Sequence, residues 1–236
     1  TARRRTLPAK TFLSMQVPLP DLQLQRQLIS QSSSIDECIS VLLQQQVNSE
    51  SLLNSIFEKT FLRQKELVPS GTIQDLLKLS SGKFLPHAEM NADGEIPVYG
   101  ANGVIGLHDK ALYELPQLIV GRVGSCGKIN VTSGPCWVSD NALVVSWESG
   151  QFLLEFLQFS LENADLGKYA SKSSQPLISL SRVSGVEIPV PALYEQEQFL
   201  IFLNEIRQYQ SISGAIISKL IELRTSLQNR AFVLGI

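Results

Sequence analysis

The glycine-rich run from Arg122 to Lys128 is the segment whose residue types most directly suggest chemistry. Its two cations flank Gly124-Ser125-Cys126-Gly127, and glycines let a backbone come close to a bound anion. The run is not a Walker loop, which would need glycine at Arg122 and serine or threonine at Ile129, and its glycine spacing is not that of a dinucleotide site. A tight β-hairpin with Arg122 in a local salt bridge is the plainer interpretation.

Three further polar runs carry hydrogen-bonding groups without an apolar period. Residues 99–103 contain an aromatic ring and the amide of Asn102, although Asn-Gly is also a common sequence for a hairpin turn. Residues 168–175 combine two lysines with serines and Gln175, and residues 80–83 form a shorter run. Cations, hydroxyls and amides of this kind suit contact with an anionic polymer, and solvated loops explain them equally well.

Nucleophilic catalysis and metal binding have little support in the sequence. Cys126 or Cys136, with His108 and either Asp109 or Asp140, would supply the thiol and imidazole of a cysteine hydrolase, but no local signature accompanies them. Three cysteines without a C-x-x-C spacing and two histidines argue against both a zinc site and a disulfide framework. We therefore expect no metal site and a reducing, cytoplasmic environment.

The bulk composition both permits a folded domain and raises an objection. With 236 residues and 44% hydrophobic content, the chain can bury a substantial core. No apolar run reaches the roughly 18 residues of a membrane span. The net charge of −2 counts against nucleic-acid binding, unless the basic groups lie on one face or a partner supplies the attraction.

One segment of the chain occurs twice, at a constant offset of 171 residues, the distance from Val17 to Ile188. Residues 17–29 match residues 188–200, including a Pro-x-Pro-x-Leu-x-x-Gln-x-Gln pattern, and the match continues without a gap to Phe61 and Phe232. Any two amphipathic helices look alike, but the matching proline lead-in favours a true duplication.

Each copy predicts a long helix that begins after its prolines, with Asp21 and Glu195 favouring the first turn. The first helix would extend over 22–66, about 65 Å at 1.5 Å per residue. Apolar residues three and four apart predict a coiled-coil seam, with Gln46 and Ser49 at polar seam positions of the first helix. The expected packing residues are Ile35, Ile39, Leu42, Leu53, Ile56, Ile206, Tyr209, Ile216, Leu220, Leu223 and Leu227.

Residues 72–187 differ from the helical segments in their glycines and short β-rich runs. Residues 117–120 and 142–147 read as strands, whereas 72–79 and 151–162 read as helices. The phenylalanines at positions 152, 156 and 159 fit a core better than a stacking surface. The sequence therefore predicts an α+β chain: one mixed domain and two long helices packed as an antiparallel coiled coil.

Within this domain, residues 96–106, 118–128 and 137–142 resemble the target-recognition domain of type I restriction-modification specificity subunits. Ile188-Pro189-Val190-Pro191, leading into a glutamine-rich helix, resembles that family's spacer. The resemblance implies this organisation: the tail of a preceding recognition domain at 1–20, a first spacer helix at 21–67, a recognition domain at 72–187, and a second spacer helix at 191–233.

The resemblance also implies a function. A subunit of this family reads one half of a split double-stranded DNA target with each recognition domain, while its helices act as a ruler and dock methyltransferase subunits and, through the complex, the restriction subunit. No cofactor is then expected on this chain, and S-adenosylmethionine would belong to the methyltransferase. The family pattern has two recognition domains, so we expect either a fragment or a half-subunit that self-associates.

A DNA-reading role would use the four polar runs, with Asn102 able to bond an adenine edge and the cations meeting phosphates. The expected contact residues are Lys83, Tyr99, Asn102, Arg122, Ser125, Lys128, Lys168, Lys172, Ser173 and Gln175. The alternative is a structural adaptor that assembles partner proteins through its helices without binding DNA, and the acidic composition is its best support.

Overall fold

The computed structural model describes residues 9–14, 20–64, 66–174 and 176–233. The chain divides into two compact units. The first, called here the helix unit, contains Thr1–Ser51 and Glu205–Ile236, and the second, called the mixed unit, contains Leu52–Asn204. No helix of the described residues has the length and apolar content needed to cross a membrane.

The helices and strands of the described residues follow in chain order. The α-helices are α1 (Ala9–Leu13), α2 (Leu22–Phe57), α3 (Ile73–Leu76), α4 (Leu154–Asn163), α5 (Leu180–Val183) and α6 (Leu193–Val233). The strands are β1 (Ser70–Thr72), β2 (Leu77–Ser81), β3 (Ile96–Gly100), β4 (Gly103–His108), β5 (Leu118–Gly121), β6 (Ile129–Val131), β7 (Trp137–Val138), β8 (Ala142–Trp147) and β9 (Glu187–Pro189). A π-helical turn, Glu58–Leu62, continues α2.

Two parts of the sequence-based predictions lie outside the described residues. Of the segment 1–20, only residues 9–14 and Pro20 are described, and α1 occupies most of them. Gln175 is likewise outside the described residues.

Carboxylates begin both long helices, as the sequence predicts. Asp21 Oδ1 accepts a hydrogen bond from the backbone N–H of Leu24 at 2.8 Å, which satisfies one of the free donors in the first turn of α2. Glu195 Oε2 accepts from the backbone N–H of Ala192 at 2.9 Å, which is the reciprocal half of a capping box. The two copies therefore start their helices with opposite halves of the capping arrangement, and in each a carboxylate accepts from a backbone N–H.

Within the helix unit, α2 and α6 run antiparallel. Gln46 Nε2 donates to the carbonyl oxygen of Gln210 at 3.1 Å, and Arg224 Nη1 lies 2.6 Å from Asp36 Oδ1. The residue later in α6 bonds the residue earlier in α2, so the two helices run in opposite directions. This confirms the predicted antiparallel pair.

The inner positions of α2 in the helix unit agree with the predicted seam. The less exposed residues follow steps of four and three: Leu28, Ser32, Ile35, Ile39, Leu42, Gln46 and Ser49. Leu53, which is buried, and Ile56, which is half-buried, continue the same steps in the mixed unit.

The predicted seam of α6 is wrong at alternate positions. Tyr209, Ile216 and Leu223 are 38%, 44% and 50% exposed. The less exposed positions are instead Ile206, Gln210, Ser213, Ile217, Leu220, Arg224 and Leu227. The apolar character of the three exposed residues favoured them in the sequence. In the structure the polar side chains one residue further along contact α2 instead: Gln210 Nε2 donates to Ser49 Oγ at 3.4 Å, and Arg224 bonds Asp36. Tyr209 still reaches α2, because its hydroxyl donates to Gln45 Oε1 at 2.8 Å.

Two sheets and a two-stranded pair build the mixed unit. A four-stranded sheet has the order β2-β8-β5-β6 with every neighbouring pair antiparallel. A three-stranded sheet has the order β4-β3-β7, in which β3 and β4 form a hairpin and β3 and β7 run parallel. Strands β1 and β9 pair antiparallel, so the entry to this domain and its exit lie side by side.

Local pattern predicted most of these elements. The strand expected at 142–147 is β8, the one expected at 117–120 is β5 shifted by one residue, and the helix expected at 151–162 overlaps α4, which ends one residue later. The helix expected at 72–79 is wrong, because α3 ends after one turn and β2 starts at Leu77. Leu77-Lys78-Leu79 alternates between buried and exposed positions, which is the period of a strand.

A cluster of phenylalanines extends the mixed unit beyond the compositional limits of 72–187. Phe57 lies against Phe156 and Phe199, with ring centroids 5.9 Å and 5.3 Å away. Phe61 meets Phe156 edge-on at 5.3 Å, and Phe159 joins the same cluster. These rings are buried, so the predicted core role of the phenylalanines in α4 is confirmed. The C-terminal end of α2 and the N-terminal end of α6 therefore belong to this unit.

Gln196 is a buried polar residue of the same unit, with 0% of its surface exposed. Its Oε1 accepts from the backbone N–H of Leu153 at 2.8 Å, and its Nε2 donates to the carbonyls of Gln151 and Pro191, both at 2.9 Å. All its hydrogen-bonding needs are met by backbone groups, which is what makes burial of an amide tolerable. It links the start of α6 to the segment before α4.

Candidate nucleic-acid interface

Four loops of the mixed unit lie around one of them, the loop at residues 122–128. The surface of these loops, called here the loop face, consists of residues 81–83, 101–103, 122–128 and 168–174. The loop between β5 and β6, residues 122–128, is in contact with each of the other three or with residues next to them in the chain. Each run was predicted separately from the sequence as a candidate contact segment, and the tertiary structure brings them together.

The 122–128 loop is a β-hairpin connection, as the plainer interpretation held, since β5 pairs with β6. Its glycines serve mainly internal packing. A Cβ on Gly121 would lie 2.1 Å from the carbonyl oxygen of Ser125, and a Cβ on Gly127 would lie 2.1 Å from the backbone nitrogen of Gly167. Of these three glycines, Gly124 alone leaves room for an outside group, since its φ is +78° and an added Cβ would have nothing within 4 Å.

Arg122 is held by neutral partners. Its Nη1 donates to Ser81 Oγ at 3.1 Å, and its carbonyl accepts from the backbone N–H of Ile178 at 2.9 Å. Neither salt bridge identified among the described residues involves it, so the expected local salt bridge is not found there. The guanidinium is thus positioned by a hydroxyl and keeps its charge available for an anion.

Lys128 and Asn102 form a direct pair. Lys128 Nζ donates to Asn102 Oδ1, and both residues are exposed. Asn102 occupies the two-residue turn between β3 and β4, where Gly100 pairs with Gly103. The positive φ of this turn falls on Gly103, at +111°, so the hairpin role of the turn is confirmed while the Asn102 side chain stays outward.

Asn130 is a supporting residue that sequence reasoning missed. Its Nδ2 donates to the carbonyl of Ala101 at 3.5 Å, which ties the β3–β4 turn to strand β6. No local pattern marks it, because a single asparagine within a short strand has no distinctive spacing.

The 168–174 segment lies against the 122–128 loop. Val123 and Leu177 form an isolated antiparallel bridge, and Cys126 Sγ donates to the carbonyl of Pro176 at 3.0 Å. Ser171 closes the segment, because its backbone N–H donates to the carbonyl of Leu177 at 2.9 Å. Lys168, Lys172 and Ser173 are exposed on it, and Ser171 Oγ lies 3.0 Å from Ser173 Oγ.

Two predicted contact residues are tied to other parts of the unit. The Tyr99 hydroxyl lies 3.1 Å from Ser133 Oγ and accepts from the Ser133 backbone N–H at 3.0 Å. Its ring packs on a core cluster, so Tyr99 is held within the unit, and its contact with DNA stays a prediction. Lys83 holds its Nζ 5.6 Å from the centre of the Trp137 ring and remains exposed.

The loop face has a local excess of cations, while the acidic residues Asp140 and Asp165 lie in segments that adjoin it. Its ranges contain Lys83, Arg122, Lys128, Lys168 and Lys172, and they contain no aspartate or glutamate. Ser125 adds a half-buried hydroxyl in the same loop. A chain with a net charge of −2 can therefore present a local positive field, which answers the objection raised by its composition.

The groups considered for catalysis are engaged elsewhere. Cys126 donates to backbone carbonyls. Cys136 is buried and bonds Thr132 Oγ1 at 3.2 Å, and burial raises the pKa of its thiol, which opposes formation of a nucleophilic thiolate. His108 stacks edge-on to Trp137. No group of three or more potential metal-ligating side chains occurs in the described part of the chain.

The fold is that of a mixed α+β unit combined with a pair of long antiparallel helices. Residues 66–222 match the family model of the type I restriction modification DNA specificity domain. The match covers more than half of the chain, so this chain belongs to that family, and the resemblance found in its motifs is confirmed.

A curated relative agrees with this assignment. The chain is 26% identical over 130 residues to the type I restriction enzyme EcoprrI specificity subunit of Escherichia coli, covering 53% of this chain and 32% of that protein. The chain thus spans about a third of that relative's length.

Solved structures share the fold. The S subunit of a type I restriction-modification system from M. genitalium superposes with a TM-score of 0.59 at 17% identity, over 90% of this chain and 61% of that one. The HsdS subunit of Thermoanaerobacter tengcongensis has a TM-score of 0.61 at 16% identity, and the match covers 92% of this chain and 60% of that one. A chain from a structure on complex assembly and conformational transition of the type I R-M system has a TM-score of 0.66 at 16% identity. That match covers 91% of this chain and 60% of the other.

Proposed function

We propose that this chain recognises a short sequence of double-stranded DNA through the loop face. The observation that carries this proposal is the convergence of four loops that supply five cations and no acidic residue. Cations meet phosphates and fix position, whereas exposed amides read base edges. Membership of the DNA specificity domain family supports the same conclusion. The chain would read one half of a split target, and its internal duplication supports a second, equivalent half.

A methyltransferase subunit is the partner we propose for the helix unit. An exposed apolar stripe on α6 has steps of three, four and seven residues, and it consists of Tyr209, Ile212, Ile216 and Leu223. Three of these, all but Ile212, are the positions that the sequence predicted as inner seam. Such a stripe suits a helix of another chain. The restriction subunit would join through this complex, and a second copy of this chain is the other occupant to test.

Catalysis and methyl transfer would then belong to the partners. S-adenosylmethionine would bind the methyltransferase subunit, and this chain would contribute recognition alone. A cytoplasmic location follows from the same proposal, and the free thiols of Cys38, Cys126 and Cys136 are compatible with a reducing compartment.

The salt dependence of binding tests the role of the loop face. Association with duplex DNA would be measured by mobility shift, with the chain alone and with its methyltransferase subunit added. Arg122→Ala and Lys172→Ala should each reduce the slope of log K against log salt by about one, because each removes one phosphate contact. Lys110→Ala is a matched control, since Lys110 is an exposed lysine outside the loop face.

The structural adaptor is the second candidate function, favoured by the acidic composition and by the exposed stripe on α6. If neither the chain nor the complex prefers any duplex over a scrambled sequence, the adaptor is the better account. If both loop variants leave the salt slope unchanged while binding persists, DNA meets another surface.

A further inference from the structure

Asn102 and Lys128 are joined in a way that limits which base edge they can read. An ammonium group has three N–H donors and no acceptor. The amide atom next to Lys128 Nζ is therefore the oxygen, Oδ1, because the amide nitrogen could not accept from it. What the side chain of Asn102 still offers outward is its amino group, with two donors.

A free asparagine reads adenine by pairing its oxygen with the amino group at N6 and its own amino group with N7. In this pair the oxygen is already engaged by a cation. Although a carbonyl oxygen has a second lone pair, the adjacent ammonium also repels the positive hydrogens of a base amino group. The pairing therefore works against adenine and cytosine, whose major-groove edges carry such a group.

The donors that remain match guanine. Asn102 has two free N–H groups and the Lys128 ammonium keeps two beyond the one it gives to Oδ1. Guanine presents two adjacent acceptors, O6 and N7, in the major groove, whereas thymine presents one acceptor and a methyl group. Only guanine can accept from both members of the pair at once.

The backbone around the pair holds it in place. The turn that carries Asn102 is closed by the pairing of Gly100 with Gly103, and the carbonyl of Ala101 accepts from Asn130. Lys128 lies directly before β6, and its carbonyl accepts from the backbone N–H of Gly121 at 2.8 Å. Two exposed side chains thus project from two anchored hairpins, which lowers the entropy lost when a base is bound.

We propose that the Asn102–Lys128 pair is a base-reading element that selects guanine over adenine at one position of the DNA target. This inference rests on the proposed DNA-reading function and adds the identity of one base to it. It replaces the expectation that Asn102 reads adenine.

The test is selection from a pool of duplexes with a randomised central segment, using the 236-residue chain at low salt and sequencing of the retained DNA. Wild type, Lys128→Met and Asn102→Ala are compared, with Lys110→Met as the matched control. Methionine keeps an unbranched stem and removes the charge. Both altered residues are exposed, and thermal unfolding verifies that each variant folds.

The expected result is a wild-type motif with guanine at one position, preferred over adenine on the order of tenfold. In Lys128→Met that preference falls to near one or turns toward adenine, because Oδ1 is released, and Asn102→Ala affects the same position. The rest of the motif and the Lys110→Met selection stay unchanged.

Other outcomes overturn the inference. If wild type selects a motif that neither variant alters, or if Lys128→Met retains less DNA with the same motif, the pair contacts phosphate or solvent, and the proposed DNA recognition by this chain is unaffected. If the position that responds carries adenine in wild type, the proposed donor pattern is wrong. If the wild-type protein retains DNA without any sequence preference, both the proposed sequence recognition by this chain and the inference about guanine are wrong.

Discussion

The helix unit and the mixed unit differ in what their helices bury. In the helix unit, the inner positions of α2 and α6 include aliphatic residues and polar ones such as Gln46, Gln210 and Arg224. In the mixed unit, the remaining turns of these helices contribute Phe57 and Phe199 to a buried aromatic cluster. Polar inner positions specify alignment at a cost in stability, whereas aromatic burial supplies stability.

The duplication makes this difference directly testable, because it places equivalent residues in both units. Gln25 and Gln196 lie 171 residues apart in equivalent positions. Gln25 Nε2 donates to the carbonyl of Pro20 at 2.6 Å, just as Gln196 Nε2 donates to that of Pro191. The first is half-buried and the second is fully buried. The same local contact therefore exists with and without burial around it.

The largest expected effect is in the aromatic cluster. Phe57→Ala should lower the free energy of unfolding by about 3–5 kcal/mol, since it removes a fully buried ring and leaves a cavity. Leu52→Ala, on the same helix at a position 51% exposed, is the control and should cost under about 1 kcal/mol. Urea unfolding measures both. Equal losses for the two variants would mean that the cluster does not stabilise the mixed unit.

An intermediate effect is expected at the buried glutamine. Gln196→Ala should lower the free energy of unfolding by about 2–3 kcal/mol, because it leaves a backbone N–H and two carbonyls without their partner. Gln25→Ala removes a single bond at a half-buried site and should cost about 0.5–1 kcal/mol. Thermal and urea unfolding of the two variants provide the comparison. A Gln25 variant as damaging as its counterpart would show that burial is not the deciding factor.

The smallest effects concern two glycines, and their signs should be opposite. Gly214→Ala should raise the unfolding free energy by up to about 1 kcal/mol, since alanine favours a helix and the new Cβ would meet Gln46 Nε2 at an ordinary 3.9 Å. Gly124→Ala should lower it by about 1 kcal/mol, because its φ of +78° is unfavourable for a side chain even in open space. Melting temperatures of both variants decide the matter, and a gain at position 124 would contradict the observed backbone.

Local sequence determined a large part of this protein. The helix starts near Asp21 and Glu195, the strand β8 and the core phenylalanines of α4 all follow from spacing or capping among neighbouring residues. These signals act within a few residues of one another, so they can be read before any folding is known. The loops of the candidate site were visible for the same reason, as polar runs between apolar ones.

Tertiary structure decided what those local patterns leave open. The inner position of Gln210 is accompanied by a side-chain contact with Ser49, which is distant in sequence. The turning of Tyr99 toward Ser133 depends on how two strands are placed. The Asn102–Lys128 pair depends on two hairpins meeting. Each is a contact between residues that only folding brings together, and periodicity along one segment carries no information about which distant side chain will complete its hydrogen bonds.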